Sequence, residues 1–195
     1  DVYKRQLMKS LNIKQSKKPN LNDWKRVVKA KLNPKKEANI AIVGKYVELK
    51  DSYKSLNEAL DHAGIINKAK VNLTFIDAAK INKSNVKKNL SFADAVLVPG
   101  GFGERGIEGM IVACKFARES NIPYFGICLG MQIAVIEFAR NILGFKNANS
   151  TEFNPKTKFP VIGLVTEWKD KSGNTEYRDD LSLIHISEPT RPQAI

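Results

Sequence analysis

Histidine is nearly absent from this chain: His62 and His185 are the only two among 195 residues, against 32 lysines and arginines. Cysteine is as scarce, with Cys114 and Cys128 alone. Two thiols do not make a disulfide framework, so a reducing, cytoplasmic setting is the expectation. No cysteines and histidines sit together at ligand spacing, and no metal is assigned. Apolar runs fall short of the roughly 20 residues needed to span a bilayer. No charged-then-apolar leader opens the chain, and no membrane partner is expected. Acids are outnumbered, 20 to 32, for a formal charge of +12. What is present is enough chain, 43% hydrophobic, to bury the core of one domain. It shows no internal repeat or low-complexity block.

The two ends mirror each other at the level of DNA. Asp1 to Gln6 can be encoded by GATGTGTATAAGAGACAG, whose reverse complement encodes LSLIHI, the residues Leu181 to Ile186. The pair resembles a transposase end sequence used to tag DNA fragments for sequencing, and the following SEPTR resembles its adapter. Residues 1–6 and 181–195 are therefore expected to be non-native and are set aside from fold reasoning. That leaves His62 as the one histidine of residues 7–180.

Residues 7–36 read as a basic interdomain linker, with ten lysines and arginines against one acid, Asp23. Within it Leu21, Trp24, Val28 and Leu32 recur at helical spacing, after Asn20 and before Asn33-Pro34, which predicts a short amphipathic helix. Such a charge run suits either a nucleic-acid-binding module or a solvated linker. With little aromatic interleaving and no binding motif, the linker is preferred and no nucleic-acid partner is expected.

From residue 37 to 180 short β-branched runs alternate with helical periodicity. Strands are predicted at Ala38–Val43, Val71–Ile76, Ala93–Val98, Tyr124–Ile127 and Pro160–Glu167. Helices are predicted at Ser52–Ala63, Ser84–Leu90, Ile107–Arg118 and Gly130–Leu143, the first with Asp51 as N-cap and Gly64 as stop. Its apolar face is Tyr53, Leu56, Ala59, Leu60 and Ala63. A turn falls at Ser172-Gly173-Asn174. This alternation is that of an α/β fold: a doubly wound, mostly parallel sheet with helices on both faces.

In such sheets sites form at the carboxyl ends of the strands. One strand ends in Gly126-Ile127-Cys128-Leu129-Gly130, the cysteine counterpart of a Gly-x-Ser-x-Gly nucleophile elbow. Glycines allow close approach around a strained turn, and the following helix aims its N–H groups and positive dipole end at the thiol, favouring thiolate. The N–H of Leu129 would face the oxyanion formed when that thiolate attacks a carbonyl. The preceding strand ends in Pro99-Gly100-Gly101-Phe102-Gly103, where consecutive glycines can turn a second N–H inward. Each motif alone also fits a tight turn. Together they point to covalent acyl transfer. Cys114, spaced with Met110, Ala113 and Ala117, reads as a core residue. His62 reads as a helix C-terminal histidine favoured by the dipole.

GICLGMQ (Gly126 to Gln132) resembles the nucleophile motif of class I glutamine amidotransferases. GKYVELKDSYKSLNEAL (Gly44 to Leu60), PGGFGERGIEGMI (Pro99 to Ile111) and NANSTEF (Asn147 to Phe153) narrow the resemblance to the CTP synthase family, apart from relatives making GMP, anthranilate or carbamoyl phosphate. It runs from the linker to Glu176 or beyond. The resemblance implies that Cys128 attacks the side-chain amide of L-glutamine, forms a γ-glutamyl thioester and releases ammonia. It implies an oxyanion hole at Gly100, Gly101 and Leu129. It assigns the glutamine to Gly101, Phe102, Leu129, Gly130, Met131, Gln132 and Glu152, with Glu152 against the α-ammonium. Phe102 and Lys54 are assigned to the response to GTP, the family's allosteric activator. No cofactor falls within residues 37–180. ATP and magnesium belong to an N-terminal synthetase domain that aminates UTP to CTP, and the family assembles as tetramers largely through that domain.

The family also needs a late histidine as base, followed two residues on by a glutamate, and an arginine contact to glutamine. Arg178 begins a stretch resembling the loop to that arginine, and Leu181 interrupts it. The expectation is therefore a C-terminally truncated glutaminase domain, inactive by itself. The alternative is a non-catalytic effector- or partner-binding domain of the same fold.

Overall fold

The computed structural model describes residues 2–13, 20–48, 50–163, 167–169 and 175–177. Leu181 to Ile195, Arg178 and the Ser172-Gly173-Asn174 turn lie outside the described residues. The chain divides into two compact units, Asp1–Ala38 with Lys50–Asn72, and Asn39–Leu49 with Leu73–Ile195.

The first unit holds α1 (Val2–Ser10), α2 (Asn22–Leu32) and α3 (Lys54–Asn67), the last entered through a 3-10 turn at Lys50–Tyr53. The amphipathic helix expected in the linker is α2. Its apolar stripe stays in solvent, with Trp24 69% exposed. Lys31 of α2 donates to the Asp61 carboxylate of α3 at 2.6 Å.

Helix α3 differs from its sequence reading at both ends. Asp51 lies in the 3-10 turn, Tyr53 precedes the first helical residue, and among the described residues no side-chain hydrogen bond caps the N-terminus. Gly64 does not stop it. The helix passes through buried Gly64 to Asn67 and ends on Lys68, at φ 53°, whose N–H reaches the carbonyls of Gly64 and Ile65. The glycine serves close approach: a Cβ there would lie 2.7 Å from the Ala69 carbonyl oxygen and 2.9 Å from Val71 Cγ2. The inner face is therefore Tyr53, Leu56, Leu60 and Gly64, while Ala59 and Ala63 are exposed. His62 then falls before the last turn, so the dipole reading of this histidine fails.

A four-stranded sheet has the order β2-β1-β3-β4, from β1 (Lys36–Gly44), β2 (Ala69–Asp77), β3 (Ala95–Val98) and β4 (Tyr124–Gly126). β1 pairs parallel with β3 (Ile42↔Leu97), and β3 parallel with β4 (Val98↔Gly126). This confirms the mostly parallel α/β class. Short helix α4 (Val86–Leu90) starts later than predicted, because Asn82 Oδ1 accepts from the N–H groups of Ser84 and Asn85 and holds a turn there. Helices α5 (Ile107–Glu119) and α6 (Leu129–Asn141) pack on each other and on β3 and β4. Val43, Val96, Val98, Met110, Leu129 and Ile133 lie at the centre of the core. Each such residue contributes about 1.5–3 kcal/mol by leaving water.

Beyond α6, β5 (Ala148–Ser150) pairs parallel with β6 (Phe159–Ile162), and β7 (Glu167–Lys169) pairs antiparallel with β8 (Thr175–Tyr177). The single strand expected over Pro160–Glu167 is thus divided. β6 ends at Ile162, Gly163 is outside it, and β7 begins at Glu167. Among the described residues no helix is long and apolar enough to cross a membrane.

Candidate active site at the carboxyl ends of β1, β3 and β4

The strand order reverses at β1: β2 lies on one side of it and β3 on the other. In an open parallel sheet a crevice forms at the carboxyl ends on either side of such a switch. Lys45 follows β1, Pro99-Gly100-Gly101 follows β3, and Cys128 follows β4. The pairing of Val98 with Gly126 brings the last two strand ends side by side.

Cys128 occupies the turn from β4 into α6 at φ 53°, ψ −106°. A non-glycine residue there is strained, and such strain persists only when the surroundings impose it. Here the glycines on either side do so. A Cβ on Gly130 would lie 2.1 Å from the Val98 carbonyl oxygen, and one on Gly126 would lie 2.3 Å from the Gly130 carbonyl. The turn therefore closes more tightly than side chains permit. The Cys128 carbonyl accepts from the N–H groups of Met131 (3.1 Å) and Gln132 (3.2 Å), which begins the helix on the nucleophile itself. The Tyr124 hydroxyl donates to the Gly130 carbonyl at 2.8 Å and ties β4 to the first helical turn. Cys128 is exposed, while Leu129 is buried and places the first helical N–H beside the thiol.

Across from the thiol, a Cβ on Gly100 would stand 3.5 Å from Cys128 Cβ and 3.9 Å from its Sγ. One on Gly101 would stand 3.4 Å from Leu129 Cδ2 and 3.3 Å from Lys45 Cδ. The structure thus brings Gly100, Gly101, Cys128 and Leu129 together. Gln132 is half-buried, and its Oε1 is buried without a hydrogen-bond partner among the described residues. Met131 is 59% exposed and Phe102 62%. Glu152 is half-buried in the turn after β5, its N–H donating to Ser150 Oγ at 3.2 Å. Lys54 is exposed and belongs to the other unit.

Lys45 was not singled out from the sequence. It is a buried lysine, 4% exposed, whose Nζ donates to the carbonyls of Phe102 (2.9 Å) and Gly103. The ammonium also lies 6.0 Å from the centre of the Phe153 ring. Burial pulls its pKa below the usual lysine range, the Glu152 carboxylate opposes that, and the Arg105 guanidinium adds to it. Arg105 in turn donates to the Lys45 carbonyl and pairs with Asp77 at 3.5 Å. With 32 basic residues in the chain, composition hides this lysine. Its place directly after a buried strand was the available signal.

Cys114 is the core residue expected. Burial, with the Glu137 carboxylate adding, pushes its thiol up to about 12. Tyr124 is likewise pushed up by burial. The buried Glu137 carboxylate accepts from Arg118 Nη2 at 2.8 Å and from Arg118 Nε at 3.1 and 3.2 Å.

The glutamine amidotransferase class-I family profile matches residues 48–185. Among solved structures, the chain is similar to the Trypanosoma brucei CTPS glutaminase domain with bound acivicin. The TM-score is 0.63 at 37% identity, over 70% of this chain and 53% of that one. This chain therefore spans about half the length of that relative. The profile covers well over half of the present sequence, and the nucleophile elbow lies inside the matched region. The chain belongs to the class-I glutamine amidotransferase family.

Proposed function

We propose that this chain is the nucleophile-bearing part of a CTP synthase glutaminase domain. The observation that carries the reading is Cys128, at positive φ on the N-terminus of α6 and set so that a Cβ on Gly100 would stand 3.9 Å from its Sγ. The Cys128 thiolate attacks the side-chain amide carbon of glutamine, and the carbonyl electron pair moves onto oxygen. N–H groups at Gly100-Gly101 and Leu129 hold that oxyanion. Collapse expels the amine, which takes a proton and leaves as ammonia. Water then hydrolyses the thioester to glutamate. Gly130, Met131 and Gln132 line the glutamine along the first turn of α6, Phe102 lies beside it, and Glu152 faces its α-ammonium. The 37% identity to the T. brucei glutaminase domain supports this assignment.

On the same reading, the ammonia passes to a synthetase domain that uses ATP and magnesium to aminate UTP. GTP activates, with Phe102 offering an exposed ring and Lys54 an exposed cation, and the whole protein is a cytoplasmic tetramer.

Expulsion of ammonia needs a proton donor that first serves as base. Among the described residues His62 is the one histidine, and it belongs to the unit that does not contain Cys128. On the reading that residues 181–195, His185 among them, are non-native, a polypeptide of these 195 residues turns over glutamine about 10²–10⁴-fold more slowly than a glutaminase with its base in place. GTP-dependent ammonia release at an ordinary glutaminase rate, lost on Cys128→Ala, would refute that. The assignment itself is tested by acivicin labelling read by peptide mass: modification at Cys128, slowed by L-glutamine, is expected. Labelling that ignores glutamine would sink it.

A further inference from the structure

Lys45 stands outside the assigned glutamine contacts, yet it touches the loop on which the oxyanion hole depends. We propose that Lys45 is a positioning residue that holds the Phe102 and Gly103 carbonyls away from the thiol, so that the Gly100-Gly101 backbone presents N–H groups to the reacting oxygen. This rests on the glutaminase reading and deepens it.

The geometry runs as a chain of contacts within one compact unit. Lys45 leaves the carboxyl end of β1. Its stem passes 3.3 Å from where a Gly101 Cβ would be, and its Nζ donates to two successive carbonyls, Phe102 and Gly103. In a trans peptide the carbonyl oxygen and the next N–H point to opposite sides. Fixing two carbonyls on one ammonium therefore fixes the 102–103 and 103–104 peptides and anchors the loop just after Gly100-Gly101. The loop needs that restraint. Gly100, Gly101 and Gly103 lack the steric limits of other residues, and Gly103 sits at φ 75° with open space around it. A loop free to turn there would swing the Gly100-Gly101 N–H groups off the reacting oxygen and lose their attraction. The lysine is itself held. Its own carbonyl accepts from Arg105, and its head lies by Phe153. A cation more than nine-tenths buried, with two backbone acceptors, is expensive to keep unless it fixes something.

The test compares two electrophiles on Cys128 in the whole 195-residue chain. With acivicin, sulfur bonds to the chlorine-bearing carbon, and chloride leaves with the bonding pair. With iodoacetamide, sulfur bonds to the methylene carbon and iodide leaves. The first reaction needs the glutamine-shaped site, the second only a reachable thiol. Lys45→Met is expected to lower the acivicin rate at least about tenfold, below the 10²–10³ loss for deleting a donor outright. The iodoacetamide rate and the melting temperature should stay close to wild type. Lys45→Arg, which keeps donors on a long stem, should recover most of the ratio. If Lys45→Met loses its cooperative melt, Lys45→Gln replaces it, with the same loss expected. Equal acivicin-to-iodoacetamide ratios in wild type and variant would overturn the proposal alone. Acivicin labelling of wild-type Cys128 that L-glutamine does not slow would overturn the glutaminase reading, and this proposal with it.

Discussion

Replacing Gly130 by alanine tests whether the nucleophile turn is held by close packing of α6 on β3. The added Cβ would sit 2.1 Å from the Val98 carbonyl oxygen and 3.0 Å from Val98 Cβ. Ordinary contact begins at 3.4 Å, so helix and strand must part by about 1.3 Å at this point. Val98 has little room to yield, being fully buried, and its carbonyl accepts from the Ile127 N–H at 2.9 Å. Overpacking of this kind costs about 1–3 kcal/mol, and the better helix propensity of alanine offsets less than about 1 kcal/mol of that. The shift also carries the Leu129 N–H with it, and a displacement near 1 Å in a reacting geometry costs roughly 10²-fold. Urea unfolding should therefore show a net loss of about 1–2 kcal/mol, and acivicin labelling of Cys128 should slow by one to two orders of magnitude. Gly103→Ala is the control. It adds a methyl at φ 75° into open space, so it loses about 1 kcal/mol through backbone strain without spreading the elbow. A Gly130→Ala protein with wild-type stability and labelling rate would refute the close-packing argument.

Cys114 makes stability fall in alkali. Its folded thiol keeps its proton up to about 12, while an unfolded thiol ionises near 9.0. The unfolded state then binds fewer protons, and stability drops between those values by up to about 1.4 kcal/mol per pH unit. Urea midpoints at pH 8 and pH 10 should show that slope in wild type and a shallower one in Cys114→Ala. Arg118→Met strips the buried Glu137 carboxylate of its partner and should cost roughly 3 kcal/mol. Pairing it with Glu137→Leu should recover most of the loss in thermal melts, and a double variant as unstable as the single one would contradict the ion-pair account. Met131, Val135 and Phe138 on α6, with Ile142 just after it, are each more than 40% exposed, with exposed Phe125 on β4. A stripe of this kind favours association. Sedimentation should show concentration-dependent self-association that Val135→Lys with Phe138→Lys disperses. A monodisperse wild-type monomer would rule it out.

The nucleophile elbow was legible because it breaks pattern twice. A cysteine between glycines at the end of a strand has no packing purpose, whereas Cys114, flanked at helical spacing by Met110 and Ala113, has an evident one. The alternation of strands and helices was legible for the same reason, since buried β-branched runs such as Ala95–Val98 suit little else. Gly64 was not, because a glycine late in a helix can end it or admit a neighbour, and only the proximity of Ala69 and Val71 decides. β5 carries no periodicity in three residues, Ala148 to Ser150, and is fixed by its partner β6. Lys45 was hidden by its own abundance, because burial and not residue type sets it apart.

Lys45 also separates stability from function within one residue. Burying its ammonium costs several kcal/mol in lost hydration, and two backbone hydrogen bonds return a similar amount, at about 1.5–3 kcal/mol each for a charged donor. The carbonyls it binds belong to Phe102 and Gly103, both exposed, so water can take the donor's place when the charge is removed. Loss of the lysine is then close to neutral for folding. A residue that fold stability alone would exchange for methionine is, in this loop, one whose hydrogen bonds set the direction of the backbone facing Cys128.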